Sequence, residues 1–254
     1  VRRTMPYSGS ASVVLDRASA PQLAPGSNYQ ARLRAMANGQ PVVAYSAGHL
    51  FRYDASALTL PQVDHRYSGA WFDPAHEGEG FIVEVLEDDR AVVYWFTYHA
   101  DGRQRWLIGV GEVAGSRIVV GEMLEARGGR FGDAFDPDDV KLRSAGSLSI
   151  SFQGCSDALV NYSIDDIGGN QDLTRLTEVA GHRCGASAAM PTIDLAGSWY
   201  DPAHNGEGFV VQPLENGEAA VYWFTYDANG EQAWLHNTGT IEGGRIVFPN
   251  LLQP

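Results

Sequence analysis

The residues best equipped for chemistry lie in one short stretch, Asp73-Pro74-Ala75-His76-Glu77-Gly78-Glu79-Gly80-Phe81. Asp73, His76 and Glu79 bring two carboxylates and an imidazole together, the groups that hold a metal ion or move protons as acid and base. Their spacing is not that of a His-Glu-x-x-His zinc helix. Pro74 fixes its own φ and pushes Asp73 into extended backbone, so the stretch reads as a turn. Three readings stay open: a structural turn whose Asp caps backbone N–H groups, a loop that touches a ligand, and a metal or catalytic site.

The second chemically suggestive stretch is Tyr94-Trp95-Phe96-Thr97-Tyr98. In a strand, Tyr94, Phe96 and Tyr98 share one face while Trp95 and Thr97 share the other. Aromatic residues on both faces mean that both are covered, or that one is a recognition surface. Indole stacks on sugar rings and carries one N–H donor, which suits glycan or peptide recognition. Trp is also among the more buried residues, so a core role competes with this one.

Both stretches occur twice. Trp71 through Phe81 returns as Trp199 through Phe209, and Tyr94–Tyr98 returns as Tyr222–Tyr226. Gln104-Arg105-Trp106-Leu107 returns as Gln232-Ala233-Trp234-Leu235. The offset stays at 128 residues (Trp71 to Trp199) without a gap from Gly69 to Val119, and more than half of the paired positions are identical. Such a repeat is one module copied in tandem. All six tryptophans belong to it: Trp71, Trp95 and Trp106, then Trp199, Trp223 and Trp234. The candidate ligand-binding residues are therefore Asp73, His76, Glu79, Trp95, Tyr98 and Trp106, with Asp201, His204, Glu207, Trp223, Tyr226 and Trp234 in the second copy. No catalytic residue and no metal ligand is assigned. Of the histidines only His76 and His204 correspond between copies, fewer than duplicated catalysis needs. No cofactor is expected, because Walker, dinucleotide and Gly-x-Ser-x-Gly motifs are missing.

The elements that position these residues read as strands. Ala70-Trp71-Phe72, Gly80–Leu86, Ala91–Tyr98, Arg103–Val113 and Arg117–Leu124 are separated by turn residues such as Asp101-Gly102 and Ala114-Gly115-Ser116. Glu125–Asp139 reads as a Gly/Asp-rich loop, with Asp133, Asp136, Asp138 and Asp139 solvated. Ser147–Phe152, Ala158–Ile164 and Asp172–Val179 add three more strands. The fold class is thus all-β, an antiparallel up-and-down meander of about eight strands per module, closed as a barrel or stacked as a sandwich. The division expected is 1–67 as a small N-terminal β segment, 68–184 as the first repeat, 185–194 as linker and 195–254 as a second, truncated repeat. Ser12–Leu15, Tyr29–Met36 and Pro41–Tyr45 read as β within the first segment. The second copy ends without counterparts of the last three strands. A longer natural chain, residues 1–67, or a neighbouring molecule by strand addition could each supply them.

Composition narrows the classes. A formal charge of −13 opposes binding to nucleic acid or to an anionic membrane surface. No apolar run approaches the roughly 18 residues of a membrane span. The chain opens at Val1 and reads as a mature or excised piece of something longer. Cys155 and Cys184 are the only cysteines, and an even pair here reads as a disulfide, which favours an oxidising compartment. Two buried free thiols are the alternative.

At Ser68-Gly69-Ala70-Trp71, at Gly78-Glu79-Gly80-Phe81 and at Trp95-Phe96-Thr97-Tyr98, the chain resembles a tandem repeat of secreted and envelope-associated proteins of Gram-negative bacteria. The similarity runs from Ser68 to about Val179 and from Leu195 to about Phe248. It implies export to the periplasm, cell surface or medium, and brings no activity with it. The opening Gly-x-Trp of a meander is also similar to avidin-like barrels, an analogy of fold and not of ligand. The function expected is an exported, non-enzymatic binding or assembly module with a glycan or protein partner. Homo-oligomerisation through an open sheet edge, as a structural subunit, is the second expectation. A metal-assisted hydrolase using Asp73, His76 and Glu79 together with Asp201, His204 and Glu207 is the third.

Overall fold

The computed structural model describes residues 61–182, 184, 195–204 and 206–254, together with four short strands nearer the N-terminus. These four are β1 (Asn28–Ala31), β2 (Met36–Ala37), β3 (Gln40–Pro41) and β4 (His49–Arg52). β1 pairs antiparallel with β4, and β2 with β3. The chain divides into two compact units, Val1–Thr59 and Leu60–Pro254. The strand expected at 12–15 and the linker 185–194 lie outside the described residues.

The second unit is all-β, and its helical pieces among the described residues are 3-10 turns of three residues. Its first part is β5 (Gly69–Phe72), β6 (Gly80–Val85), β7 (Arg90–Tyr98), β8 (Gln104–Ala114), β9 (Arg117–Arg127), β10 (Lys141–Phe152), β11 (Asp157–Ile164) and β12 (Ile167–Arg175). Neighbours in sequence pair antiparallel, and β12 returns to β5, so the eight strands form a closed barrel. Closure removes every free edge of the sheet. The interior is filled by large rings from one half, Trp71, Phe81 and Trp95, against Leu148, Ile150, Phe152, Val160 and Leu173 from the other. Such a barrel is a packed core and not a cup.

Three boundaries differ from the sequence reading, each for a local reason. β12 begins at Ile167 because Asp165 and Asp166 both take positive φ (48° and 64°), which closes a two-residue hairpin with Ile164 opposite Ile167. Asp tolerates that backbone because its short polar side chain bonds locally. β9 runs on to Arg127, so Glu125 lies in a strand and not in a loop. β10 starts at Lys141, where its first residues pair with the extension of β9. Cys155 and Cys184 are joined by a disulfide with Cα atoms 5.5 Å apart, which ties the β10–β11 turn to the segment after β12.

The second copy forms an open sheet of β13 (Gly197–Trp199), β14 (Gly208–Pro213), β15 (Glu218–Tyr226), β16 (Gln232–Glu242) and β17 (Arg245–Val247). Its registers repeat those of the barrel. Trp199 faces Phe209 as Trp71 faces Phe81, and Glu218 faces Thr240 as Arg90 faces Glu112. The match extends past β17, because Leu252 bridges His236 as Leu124 pairs with Ile108. Pro249 stands where the first copy has Gly121, and with no N–H to donate it interrupts this strand.

The two sheets share a second core. Ala70, Ile82, Tyr94, Phe96 and Trp106 on the outside of the barrel pack against Val210, Phe224, Tyr226 and Trp234. The packing obeys a pseudo-two-fold rule. Tyr94 lies 5.2 Å from Phe224, and its equivalent Tyr222 lies 6.1 Å from Phe96. Trp106 lies 5.2 Å from Phe224, as Trp234 does from Phe96. Gln104 donates to the Trp234 carbonyl (3.1 Å) and accepts from its N–H (3.2 Å). Gln232 does the same to Trp106, at 2.9 and 3.1 Å. Arg103 pairs with Glu231, its own equivalent in the other copy. Each patch thus meets its own copy, the geometry of an isologous dimer held within one chain. Trp106 Nε1 donates to the Thr225 carbonyl, whereas Trp234 Nε1 is buried with no partner, so the symmetry breaks there.

The glutamine pairs give a first prediction. Gln232→Leu leaves the Trp106 N–H and carbonyl without that partner in a buried seam, at about 1–3 kcal/mol for each orphaned group. A urea titration should show a loss of this size. A change below about 0.5 kcal/mol would mean that the seam is already wet.

Candidate functional site

The Asp73–Gly80 turn is organised from within. Asp73 accepts from the Ala75 N–H (2.8 Å) and contacts His76 Nδ1 (2.8 Å). Asp201 makes the same two contacts with Ala203 and His204, at 2.9 and 3.2 Å. Tyr98 donates to the Gly78 carbonyl and Tyr226 to that of Gly206, each at 2.9 Å. Thr97 donates to Glu79, and Thr225 to Glu207. Each copy therefore bolts its turn to its aromatic strand through the same residues. Gly78 takes φ +90°, a backbone that favours glycine, and its carbonyl receives the Tyr98 hydroxyl there.

The candidate residues do not gather at one place. Asp73 and His76 pair on the turn, with the His76 ring half-exposed. Glu79 is taken up by Thr97 and by Gln171 of β12 (2.9 Å). Trp95 lies inside the barrel, 4.7 Å from the Tyr162 ring, and its Nε1 has no partner. Trp106, Trp234 and Tyr226 are buried between the copies. Among the described residues, no three His, Cys, Asp or Glu side chains are grouped as metal ligands.

What separates the two copies is the other face of the sheet. Trp71 is 1% exposed and Phe81 1%, while Trp199 is 51% and Phe209 38% exposed. Tyr200 beside them is exposed, and Trp223 stacks on Phe209 at 5.3 Å. Two of the residues that fill the barrel in the first copy are thus exposed in the second, as Trp199 and Phe209, while Ala219 and Val221, the equivalents of Ala91 and Val93, stay buried. Phe131, from the loop after β9, lies 5.6 Å from Trp223. Exposed apolar patches of this kind mark interaction sites. Trp199 and Tyr200 were legible as members of the repeat, but nothing in their own sequence distinguishes them from Trp71, which is buried, and Phe72, which is half-buried.

A second centre escaped the sequence reading altogether. Glu125 is 1% exposed and is held by Arg105 (2.5 Å), Arg143 (2.5 Å) and Arg127. Asp165 binds the same two arginines, Arg105 at 2.8 Å and Arg143 at 2.6 Å, which closes a ring of four charges. The ring spans β8, β9, β10 and the β11–β12 turn where the β8–β9 ladder ends at Ile108–Leu124. Burial pushes the Glu125 carboxyl pKa up, and the arginines more than offset this, leaving it below the usual carboxylate value. His99, Arg103, Glu125 and Arg127 line a cleft of about 310 Å³ beside Gly230–Gln232 of the second copy.

Burial also shapes the other titrations. It raises the Tyr94 phenol to about 12 even though Tyr94 donates to Ser198 (2.9 Å). It lowers His99, His182 and His236 from the ordinary 6.5. Beside His182 stand His65, 4.8 Å away between ring centres, with Asp64 and Arg175 nearby. A histidine depressed in the fold is protonated first in the unfolded chain. Its contribution is complete above pH 6.5 and is lost as pH falls toward the folded value. The melting temperature should therefore drop between pH 7 and pH 5, and His182→Gln should make that drop shallower. An unchanged slope would place the acid sensitivity elsewhere.

Comparison with protein-family models, with curated proteins and with solved structures finds no match to this chain.

Proposed function

We propose that this chain is a non-catalytic binding and assembly module whose recognition surface is the open face of the second repeat. The closed barrel is its rigid platform, and the aromatic seam fixes the second sheet to it. One observation carries this reading: the same sheet, in the same register, is sealed in the first copy and leaves Trp199 and Phe209 exposed in the second. The partner is a protein, because a sheet with free edges offers backbone hydrogen bonds as well as apolar area. A glycan is the second reading, favoured by the exposed rings of Trp199 and Tyr200. The hydrolase reading has least support, since Glu79 is committed to Thr97 and Gln171.

The Cys155–Cys184 disulfide supports an exported location, in keeping with the resemblance to secreted and envelope-associated repeats. No helix among the described residues is long and apolar enough to cross a membrane. The face is tested with an environment-sensitive apolar dye. The parent chain should bind it saturably, and Trp199→Ser with Phe209→Ser should lose it at an unchanged melting temperature. Equal dye binding by both would remove this surface from consideration. Quenching of tryptophan emission by soluble glycans, and not by peptides, would select the second reading.

A further inference from the structure

We infer that the cleft beside the ion ring is a second binding site, for a small carboxylic acid that also carries hydroxyl groups, such as a sugar acid. Its walls are His99, Arg103, Glu125 and Arg127 of the first copy with Glu231 and Gln232 of the second. None of these belongs to the aromatic face of Trp199 and Phe209, so the site stands apart from that face.

The repeat itself separates what the fold needs from what it does not. The β7–β8 and β15–β16 turns close in the same way: the His99 N–H donates to the Arg103 carbonyl and the Asp227 N–H to the Glu231 carbonyl, each at 2.8 Å. Around these turns the residues that build the fold are identical: Thr97 and Thr225, Tyr98 and Tyr226, Gln104 and Gln232, Trp106 and Trp234. The residues of the charged centre are not. His99 answers to Asp227, Arg103 to Glu231, Arg105 to Ala233 and Glu125 to Gln253. Ala233 is 6% exposed, so the second sheet buries this position without any charge. Buried ion pairs are costly to desolvate and add little stability over apolar side chains. A buried guanidinium and carboxylate confined to one copy therefore point to a site and not to a requirement of the repeat.

The geometry then selects the ligand. The β8–β9 ladder ends at Ile108–Leu124, and beyond it Glu125 and Arg127 pair with β10. Glu125 is taken up by Arg105, Arg127 and Arg143, so it serves as a floor that holds arginines in place. Arg127 gives its Nε to Glu125, and its two terminal nitrogens have no other hydrogen-bond partner among the described residues. A guanidinium with both terminal nitrogens open matches a planar carboxylate through two parallel hydrogen bonds. A bare anion fits less well. Asp101, Glu125, Asp165 and Glu231 balance Arg103, Arg105, Arg127 and Arg143, and Glu231 stands in the wall as an acceptor. A ligand that offers acceptors alone would face that carboxylate unpaired, whereas a hydroxyl group donates to it. Burial lowers the His99 pKa, so at pH 7 its ring is neutral, with one nitrogen to accept and one to donate. The cleft, at about 310 Å³, has room for one sugar-sized molecule.

The test is calorimetric titration of the full chain with sodium galacturonate, glucuronate and tartrate, against galactose and sodium sulfate. At least one of the three hydroxy acids should bind 1:1 and shift the ring signals of His99 while those of His182 stay in place. Galactose, which lacks the carboxylate, and sulfate, which lacks donors, should each bind at least about tenfold more weakly. Arg127→Gln should weaken the hydroxy acid by a similar factor at a near-parent melting temperature, since Glu125 keeps Arg105 and Arg143. Arg103→Gln, on the turn, should act in the same direction and guards against a folding effect at Arg127. Arg90→Gln, outside the cleft, should leave binding unchanged. No binding of any of the three acids at tens of millimolar would overturn the site. Binding that both cleft variants leave intact would overturn its placement, and sulfate that binds as tightly as the acids would overturn the ligand class. Retained binding by Trp199→Ser with Phe209→Ser would uphold this site whatever becomes of the aromatic face. Loss of binding in that variant would overturn this site by moving the ligand to the face.

Discussion

Trp71→Ala should cost about 3–5 kcal/mol of folding stability, and Trp199→Ala about 1 kcal/mol or less. The two tryptophans hold the same position of the same repeat and face equivalent partners, Phe81 and Phe209. They differ in what lies over them. Trp71 is 1% exposed, with Phe152 of β10 5.1 Å from its ring and the Arg175 guanidinium 5.4 Å from its centroid. Its removal leaves a cavity that the surrounding strands cannot fill, so the cost is transfer plus void. Trp199 is 51% exposed, and its replacement by alanine leaves solvent where solvent already was. Its Nε1 donates to the Leu195 carbonyl at 3.1 Å, a half-wet bond of small net worth. Paired urea titrations measure both changes. Similar losses at the two positions would mean that the second face is covered in solution.

Glu125→Leu should be the most damaging single change to the ion ring, at about 3–5 kcal/mol. Arg105 is 7% exposed and leans on Glu125 and Asp165. Removal of the central carboxylate leaves a buried guanidinium with one exposed partner, and an uncompensated buried charge is costly. Glu125→Gln keeps the shape and an acceptor, so it should fall between the parent and the leucine variant. The sign of the acid response follows from the lowered carboxyl. Its contribution is complete above the ordinary carboxylate value of 4.5 and fades as pH falls through the folded value. The parent should therefore lose stability below about pH 4 more steeply than Glu125→Gln. Parallel curves would mean that Asp165 alone holds Arg105.

The strands of this protein were legible because alternation and turn residues are local signals. Gly80–Val85, Arg90–Tyr98 and Gln104–Ala114 lie within a residue or so of where the pattern puts them. The repeat was legible for the same reason, and it extends in the structure to Leu252. Closure was not legible, since a barrel and a sandwich share the same alternation. The difference lies in the pairing of β12 with β5, about a hundred residues apart in sequence. The tyrosines on one face of β7 and the tryptophan on the other read as two covered faces or one recognition face. In the first copy both are covered, by the barrel interior and by the second sheet. Glu125 was invisible because its meaning comes from Arg105, Arg127, Arg143 and Asp165, which only the fold brings together. The exposed face of the second copy was hidden for the opposite reason: its residues match the covered ones too well to look different.

The most direct measurement is amide hydrogen exchange of the monomeric chain, read strand by strand in both copies. The account predicts strong protection throughout β5 and β9, whose edges pair with β12 and β10. It predicts rapid exchange at outward-facing N–H groups of β13 and β17, despite their matching sequence and register. Equal, strong protection of β13 and β17 in the isolated monomer would contradict it, because the second sheet would then already be closed.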